Sequence, residues 1–247
     1  MLYIDAAHMN HRQLNAEIQS CCDDVSITGC AGQRFIGAGL DRKHLDISGI
    51  PGNALGAYLN GACIDVHGNA QDAVGDTMNA GRIIIHGSIG DAAGYAMRGG
   101  EIYIQGDAGY RAGIHMKAYG DKLPVMVIGG KAGSFLGEYQ AGGVIIVLGL
   151  TKNSRPIVSN FPCTGMHGGK LYIRSDCKSL LLPRQVTARP ATHDDLAEIS
   201  GYLETYCKLF EAKYGELTQG PFTVITPDNQ NPYKQMYVFS KRKRVRT

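Results

Sequence analysis

Residues 52–113 read GNALGAYLNGACIDVHGNAQDAVGDTMNAGRIIIHGSIGDAAGYAMRGGEIYIQGDAGYRAG, glycine after glycine with few charges between. Aligned against itself, the stretch repeats every 19 residues. Ile47, Val66, Ile85 and Ile104 fall at that step, and each is followed two residues later by Gly49, Gly68, Gly87 and Gly106. A second file, Gly56, Gly75, Gly94 and Gly113, keeps the same step, and a third near Gly61, Gly81 and Gly100 closes each unit. Each unit carries a short alternating segment such as Cys63-Ile64-Asp65-Val66-His67 or Glu101-Ile102-Tyr103-Ile104-Gln105. Alternation over so few residues describes a strand with one buried face.

A unit of this size cannot enclose a core alone, so the units must stack. The spacing predicts an all-β solenoid, a parallel β-helix of about seven coils, in which Ile64 and Val66, Ile83 and Ile85, and Ile102 and Ile104 form internal ladders. Further units are visible at Val25-Ser26-Ile27-Thr28-Gly29, Val125-Met126-Val127, Ile145-Ile146-Val147 and Leu171-Tyr172-Ile173. Glycine then marks corners where φ is positive or a Cβ has no room. A phosphate-binding glycine loop must lead into a helix, and no helical period follows any glycine cluster here. A flexible linker would lack the regular isoleucines.

Three segments are expected: an N-terminal cap over 1–24, the β-helix over 25–175, and a C-terminal helix with an extended basic tail over 176–247. Within the first, Arg12 to Gln19 reads as a short helix over the open end of the solenoid. In the last, Thr192 is the expected N-cap with Asp195 three residues on, Leu196, Ile199, Leu203, Cys207 and Phe210 form an apolar stripe, and Gly215 is the expected stop. This helix is expected to cover the opposite end. The tail carries Lys241, Arg242, Lys243, Arg244 and Arg246; without them the net charge of +3 becomes −2. A nucleic-acid surface would rest on that tail alone, with no aromatic platform beside it, so none is expected. Neither a basic start with an apolar core nor a long apolar run is present, VIIVLGL at 144–150 being far too short to span a bilayer, which points to a soluble, cytoplasmic protein without membrane contact.

Chemistry is sparse. The cysteines Cys21, Cys22, Cys30, Cys63, Cys163, Cys177 and Cys207 contain no C-x-x-C pair and read mostly as small buried hydrophobes. The sharpest cluster is an outward file, Ser48, His67, His86 and Gln105, at 19-residue spacing. Two imidazoles about 5 Å apart could share a metal or titrate together. A solvent-facing stack is the expectation, because no carboxylate or cysteine at the same level is evident to complete a coordination set. Asp72 and Asp91 share a corner register that suits capping of turns. No catalytic, cofactor-binding or metal-binding residue is assigned.

With these residues in view, the chain resembles the GXGXG family, whose domain forms the C-terminal part of the glutamate synthase large subunit. Gly29-Cys30-Ala31-Gly32-Gln33-Arg34-Phe35 resembles the opening motif, although Ile36 interrupts the F-G expected there. Gly68-Asn69-Ala70-Gln71-Asp72-Ala73-Val74-Gly75, Gly94-Tyr95-Ala96-Met97-Arg98-Gly99-Gly100-Glu101-Ile102 and Gly106-Asp107-Ala108-Gly109-Tyr110-Arg111 resemble the coils that follow. The match covers about residues 1–175. The stretch RAGIHMKAYGDKLPVMVIGGKAGSFLGEY and Pro232-Tyr233 look like the free-standing form found where glutamate synthase is split into separate chains.

The resemblance implies a right-handed β-helix that scaffolds a glutamine amidotransferase subunit and an FMN-dependent, iron–sulfur synthase subunit, which together make glutamate from glutamine and 2-oxoglutarate. It implies no catalytic residue and no cofactor in this chain, in keeping with Leu2 after Met1 where the amidotransferase needs an N-terminal cysteine. Two relatives of the same fold remain open, the β-helix subunit of formylmethanofuran dehydrogenase and a subunit of N-methylglutamate synthase. From another class, an independent β-helix enzyme or carbohydrate-binding protein would use the outer ladder. Self-association is also open.

Overall fold

The computed structural model describes residues 1–178 and 180–228. The basic tail and Pro232-Tyr233 lie outside the described residues. Nine strands stack in parallel, β1 (Leu2–Asp5), β2 (Val25–Ala31), β3 (His44–Ile50), β4 (Asn60–His67), β5 (Ala80–Ile85), β6 (Gly100–Ile104), β7 (Pro124–Ile128), β8 (Ala141–Val147) and β9 (Gly168–Ile173). The result is a parallel β-solenoid of about eight turns, slightly more than the repeat predicts. The difference lies in β1, which pairs Leu2 with Val25. That offset is longer than 19 because helix α1 (His11–Ser20) is inserted, so the first coil escapes a search for equal repeats.

The register bears out the ladders. Leu45 pairs with Ile64, Ile64 with Ile83 and Ile83 with Ile102, while Ile47, Val66, Ile85 and Ile104 form the adjoining file, all without solvent contact. Ile36 belongs to a third buried file with Leu55, Val74, Ala93, Ala112 and Leu136. The residue that interrupts the motif is therefore part of the core, and Gly37 after it keeps the positive φ of Gly56 and Gly75.

The two main glycine files have different physical causes. At Gly87 the backbone φ is ordinary, and a Cβ would stand 2.7 Å from the carbonyl oxygen of Gly68 in the preceding coil. Successive backbones touch there. At Gly75 the φ of +69° is left-handed, and a Cβ would also meet Ile102 Cδ1 at 2.6 Å. Corner polar residues bind the next coil rather than their own turn: the Asp72 carboxylate accepts from Asp91 N–H at 2.9 Å, and Asp91 from Tyr110 N–H at 2.8 Å. Each repeat thus satisfies a donor of its neighbour.

Helix α1 starts at a capping box between Asn10 and Gln13 and buries Leu14 and Ile18 in the main core. The C-terminal helix α2 (His193–Phe210) begins at the expected Thr192 cap, with Asp195 in its capping box. It ends earlier than expected. Glu211 takes the left-handed conformation and donates its N–H to Cys207 O, whereas Gly215 lies inside a short helix α3 (Tyr214–Thr218).

The placement of α2 also corrects the expectation from sequence. It does not cover the end of the solenoid; Ile199, Leu203 and Tyr206 pack on the outer sheet face against Tyr103, Val125, Val127, Val144, Ile146, Leu148 and Tyr172. This second apolar layer explains why VIIVLGL is apolar without alternation, since its strand is buried on both faces. The end is occupied instead by β11 (Thr223–Pro227), antiparallel to β9, followed in the sheet by β10 (Val186–Pro190). The expected burial of cysteines holds only for Cys30 and Cys163; the other five are partly or fully exposed. Burial pushes the Cys163 thiol up to about 12 and the Cys30 thiol up to about 11.

Asp195 anchors the start of α2. The Arg189 guanidinium grips its carboxylate at 2.5 and 2.9 Å, and Thr192 donates from N–H and hydroxyl at 2.8 and 2.7 Å. Arg189 foremost, then the Thr192 donors, hold this carboxyl well below the usual carboxylate range, against the opposing effect of burial. A depressed folded-state pKa adds stability above the unfolded value near 4 and loses it as pH falls below. Asp195→Asn should cost about 2 kcal/mol at pH 7 by urea unfolding. The gap from wild type should narrow at pH 3; a constant gap would refute the ionic origin.

Candidate functional site

Alternation along β3, β4 and β5 sends Asp46 and Ser48, then Asp65 and His67, then Ile84 and His86 to the outer sheet face. The α2 helix seals the C-terminal part of that face and leaves this polar part beside its end. The imidazoles of His67 and His86 stack with centroids 5.0 Å apart and planes 24° from parallel. The ring of Phe210, last residue of α2, meets His86 edge-on at 5.2 Å.

Here the structure corrects the expectation that no carboxylate stands at the level of the imidazoles. Asp46 Oδ1 lies 2.7 Å from His67 Nε2, and Asp65 Oδ1 lies 3.0 Å from His86 Nε2. Ligand atoms of Asp65, His67 and His86 all fall within 4.8 Å of one another. The pairing is diagonal: Asp65 sits two residues before His67 on the same face and reaches the neighbouring strand's His86. Strand alternation together with the 19-residue step could have revealed it, because diagonal partners lie within reach of long side chains. Ser48 neighbours His67 in register, and Gln105 follows His86 in the next coil. Cys63 lies on the same outer face, and the nearby Asp65 carboxylate adds to burial in raising its thiol pKa.

The corner face presents a second surface. Phe35, Arg111, Phe135 and Phe161 occupy equivalent left-handed positions, as do Tyr58, His115 and Tyr139 four residues later in their coils. Side chains there point out of the solenoid and meet across coils. His115 stacks on Tyr139 at 5.1 Å, Tyr110 meets Phe135 at 5.4 Å, and Phe135 meets Phe161 at 5.3 Å. Arg111 lies over Tyr110 at 4.9 Å and pairs with the nearly buried Glu138 at 2.8 Å. Tyr58 and Phe161 are each about 60% exposed. This file is hidden in the sequence, because the aromatics share a column only once the longer coils are aligned.

Among the described residues, no helix is long and apolar enough to cross a membrane. The model of the GXGXG motif family matches residues 6–225 of this chain. The chain belongs to that family. The match extends past residue 175 and takes in α2 and most of β11. The family is associated with glutamate synthase, which makes this a glutamate synthase-related domain. A protein of Methanocaldococcus jannaschii described as uncharacterized protein MJ1350 is 42% identical across 95% of each chain.

Proposed function

We propose that this GXGXG-family chain is the non-catalytic scaffold of a split glutamate synthase, holding a glutamine amidotransferase subunit beside an FMN and iron–sulfur synthase subunit. The observation that carries this reading is the exposed aromatic file on the corner face. Tyr58, Tyr95, Tyr110, Tyr139 and Phe161 present flat apolar area on a rigid coil, the chemistry enriched at protein interfaces. The family's association with glutamate synthase is the support for expecting these partners. The chain itself supplies position, with flavin and iron–sulfur clusters carried by the subunits it joins and its own complex acting as an oxidoreductase of nitrogen metabolism in the cytoplasm.

Affinity purification of the tagged chain from native extract should bring down amidotransferase and flavin synthase chains and glutamine-dependent glutamate formation. Tyr139→Ala with Phe161→Ala should weaken that association at least about tenfold while the melting temperature stays near wild type, as for central aromatic anchors. Molybdenum or tungsten subunits in the eluate would instead assign the chain to formylmethanofuran dehydrogenase. Recovery of the chain alone, with an activity of its own, would sink the scaffold reading.

A further inference from the structure

From the outer face beside α2, we propose that Asp65, His67 and His86 form a binding site for one divalent transition-metal ion of the zinc class, with Asp46 orienting His67 and balancing charge. Three features converge on it. Two imidazole nitrogens and a carboxylate oxygen lie within 4.8 Å of one another. In a four-coordinate zinc site, bonds of about 2.1 Å place neighbouring ligand atoms about 3.4 Å apart. Asp65 Oδ1 is already 3.0 Å from His86 Nε2, so closing the set takes rotation about side-chain torsions and no movement of the strands.

Second, Asp46 Oδ1 and Asp65 Oδ1 have no solvent contact and accept no linear hydrogen bond. Each lies instead against an imidazole Nε2, at 2.7 and 3.0 Å. A carboxylate oxygen has two lone pairs, and one shielded from water with an imidazole as its sole neighbour keeps a lone pair that a cation would satisfy. Third, the surroundings suit positive charge. Two carboxylates match a dication, and His86 contacts the last residue of α2, the end of a helix that carries partial negative charge.

The donor set of two imidazoles and a carboxylate favours Zn²⁺, Co²⁺, Ni²⁺ or Cu²⁺ over Mg²⁺ or Ca²⁺, which take oxygen ligands. His67 is about half exposed, so the remaining coordination position opens outward to water or to a side chain from a docked partner. The ion would tie β4 to β5 at the border of the bare sheet face. This site is independent of the scaffold role, and either could stand without the other.

The test uses the full chain, stripped with chelator and kept reduced, titrated with Co²⁺ by absorption spectroscopy and with Zn²⁺ by calorimetry. One equivalent should bind, giving cobalt bands of four-coordinate intensity and a zinc-dependent rise in melting temperature. His67→Ala and His86→Ala should each weaken binding more than tenfold and abolish the melting shift, whereas His193→Ala, a fully exposed position, should leave both unchanged. Asp46→Asn should weaken binding about tenfold, as partners of a metal-bound histidine do. Absence of saturable binding would overturn the proposal. So would stoichiometric binding that survives in the folded double histidine variant, including a thiolate-to-cobalt band placing the metal on cysteine.

Discussion

Ile85→Asp is expected to leave no cooperative melting transition. Ile85 has no solvent contact and stands between Val66 and Ile104 in an internal ladder. Truncating a buried isoleucine costs about 2–5 kcal/mol through lost contacts and the void. A carboxylate placed there finds no donor on an aliphatic file, which adds several kcal/mol or forces it to be protonated. The total rivals the roughly 5–15 kcal/mol that holds a domain together. Ile85→Val, by contrast, should cost only about 1 kcal/mol. Circular dichroism melts of both variants decide the matter: near-wild-type melting of Ile85→Asp would mean that the strand faces are inverted.

The second large effect is expected at Gly87. Its Cβ would meet the Asn69 side-chain oxygen first and press 2.7 Å from Gly68 O and 2.8 Å from Gly68 C, so that part of the obstacle is backbone held by the adjoining coil. Valine there must pry two coils apart, straining the bonds from Ser88 N–H to Asn69 Oδ1 and from Gly106 N–H to Gly87 O. Overpacking of this kind costs about 3 kcal/mol or more. Gly39 offers the contrast. Its φ is +71°, yet nothing lies within 4 Å of a Cβ there, and Tyr58, Thr77, His115 and Tyr139 adopt the same left-handed geometry in later coils. Gly39→Ala should therefore cost only about 1 kcal/mol of backbone strain. Urea unfolding of Gly87→Val and Gly39→Ala would separate close approach from conformation; equal losses would refute the distinction.

The solenoid was legible because its repeat is periodic in both chemistry and length. Ile64, Ile83 and Ile102 announce a buried file before any coordinate is known, and the four equal coils give the register. What escaped is aperiodic or belongs to contact between layers. The first strand hides behind the insertion of α1. The position of α2 depends on an apolar outer face spread over Tyr103, Val127, Ile146 and Tyr172, which meet only after coils of unequal length are stacked. In sequence its amphipathic stripe says that the helix packs, not upon what. The Asp65–His86 contact is hidden for a nearer reason: equal spacing points to residues directly across, whereas side chains also lean along the strand to diagonal neighbours. Glu211 closing α2 in place of Gly215 shows a terminus chosen by local contacts over glycine preference.

The strand reversal after β9 carries a consequence for assembly. Parallel coils of one repeat have no inherent last member, since each exposed rim copies the surface that the previous coil recognised. With β11 antiparallel to β9 and β10 antiparallel to β11, the rim beyond β9 is a five-residue strand from outside the repeat and no longer copies a coil, unlike the opposite end, where β1 lies parallel to β2. Pro190 further removes a backbone donor from β10. Among the described residues, a copy placed head to tail would meet Thr187, Ala188, Arg189 and Pro190, exposed along a short edge, in place of the aliphatic files of a coil, so the fold that most readily grows into a fibre carries its own chain terminator.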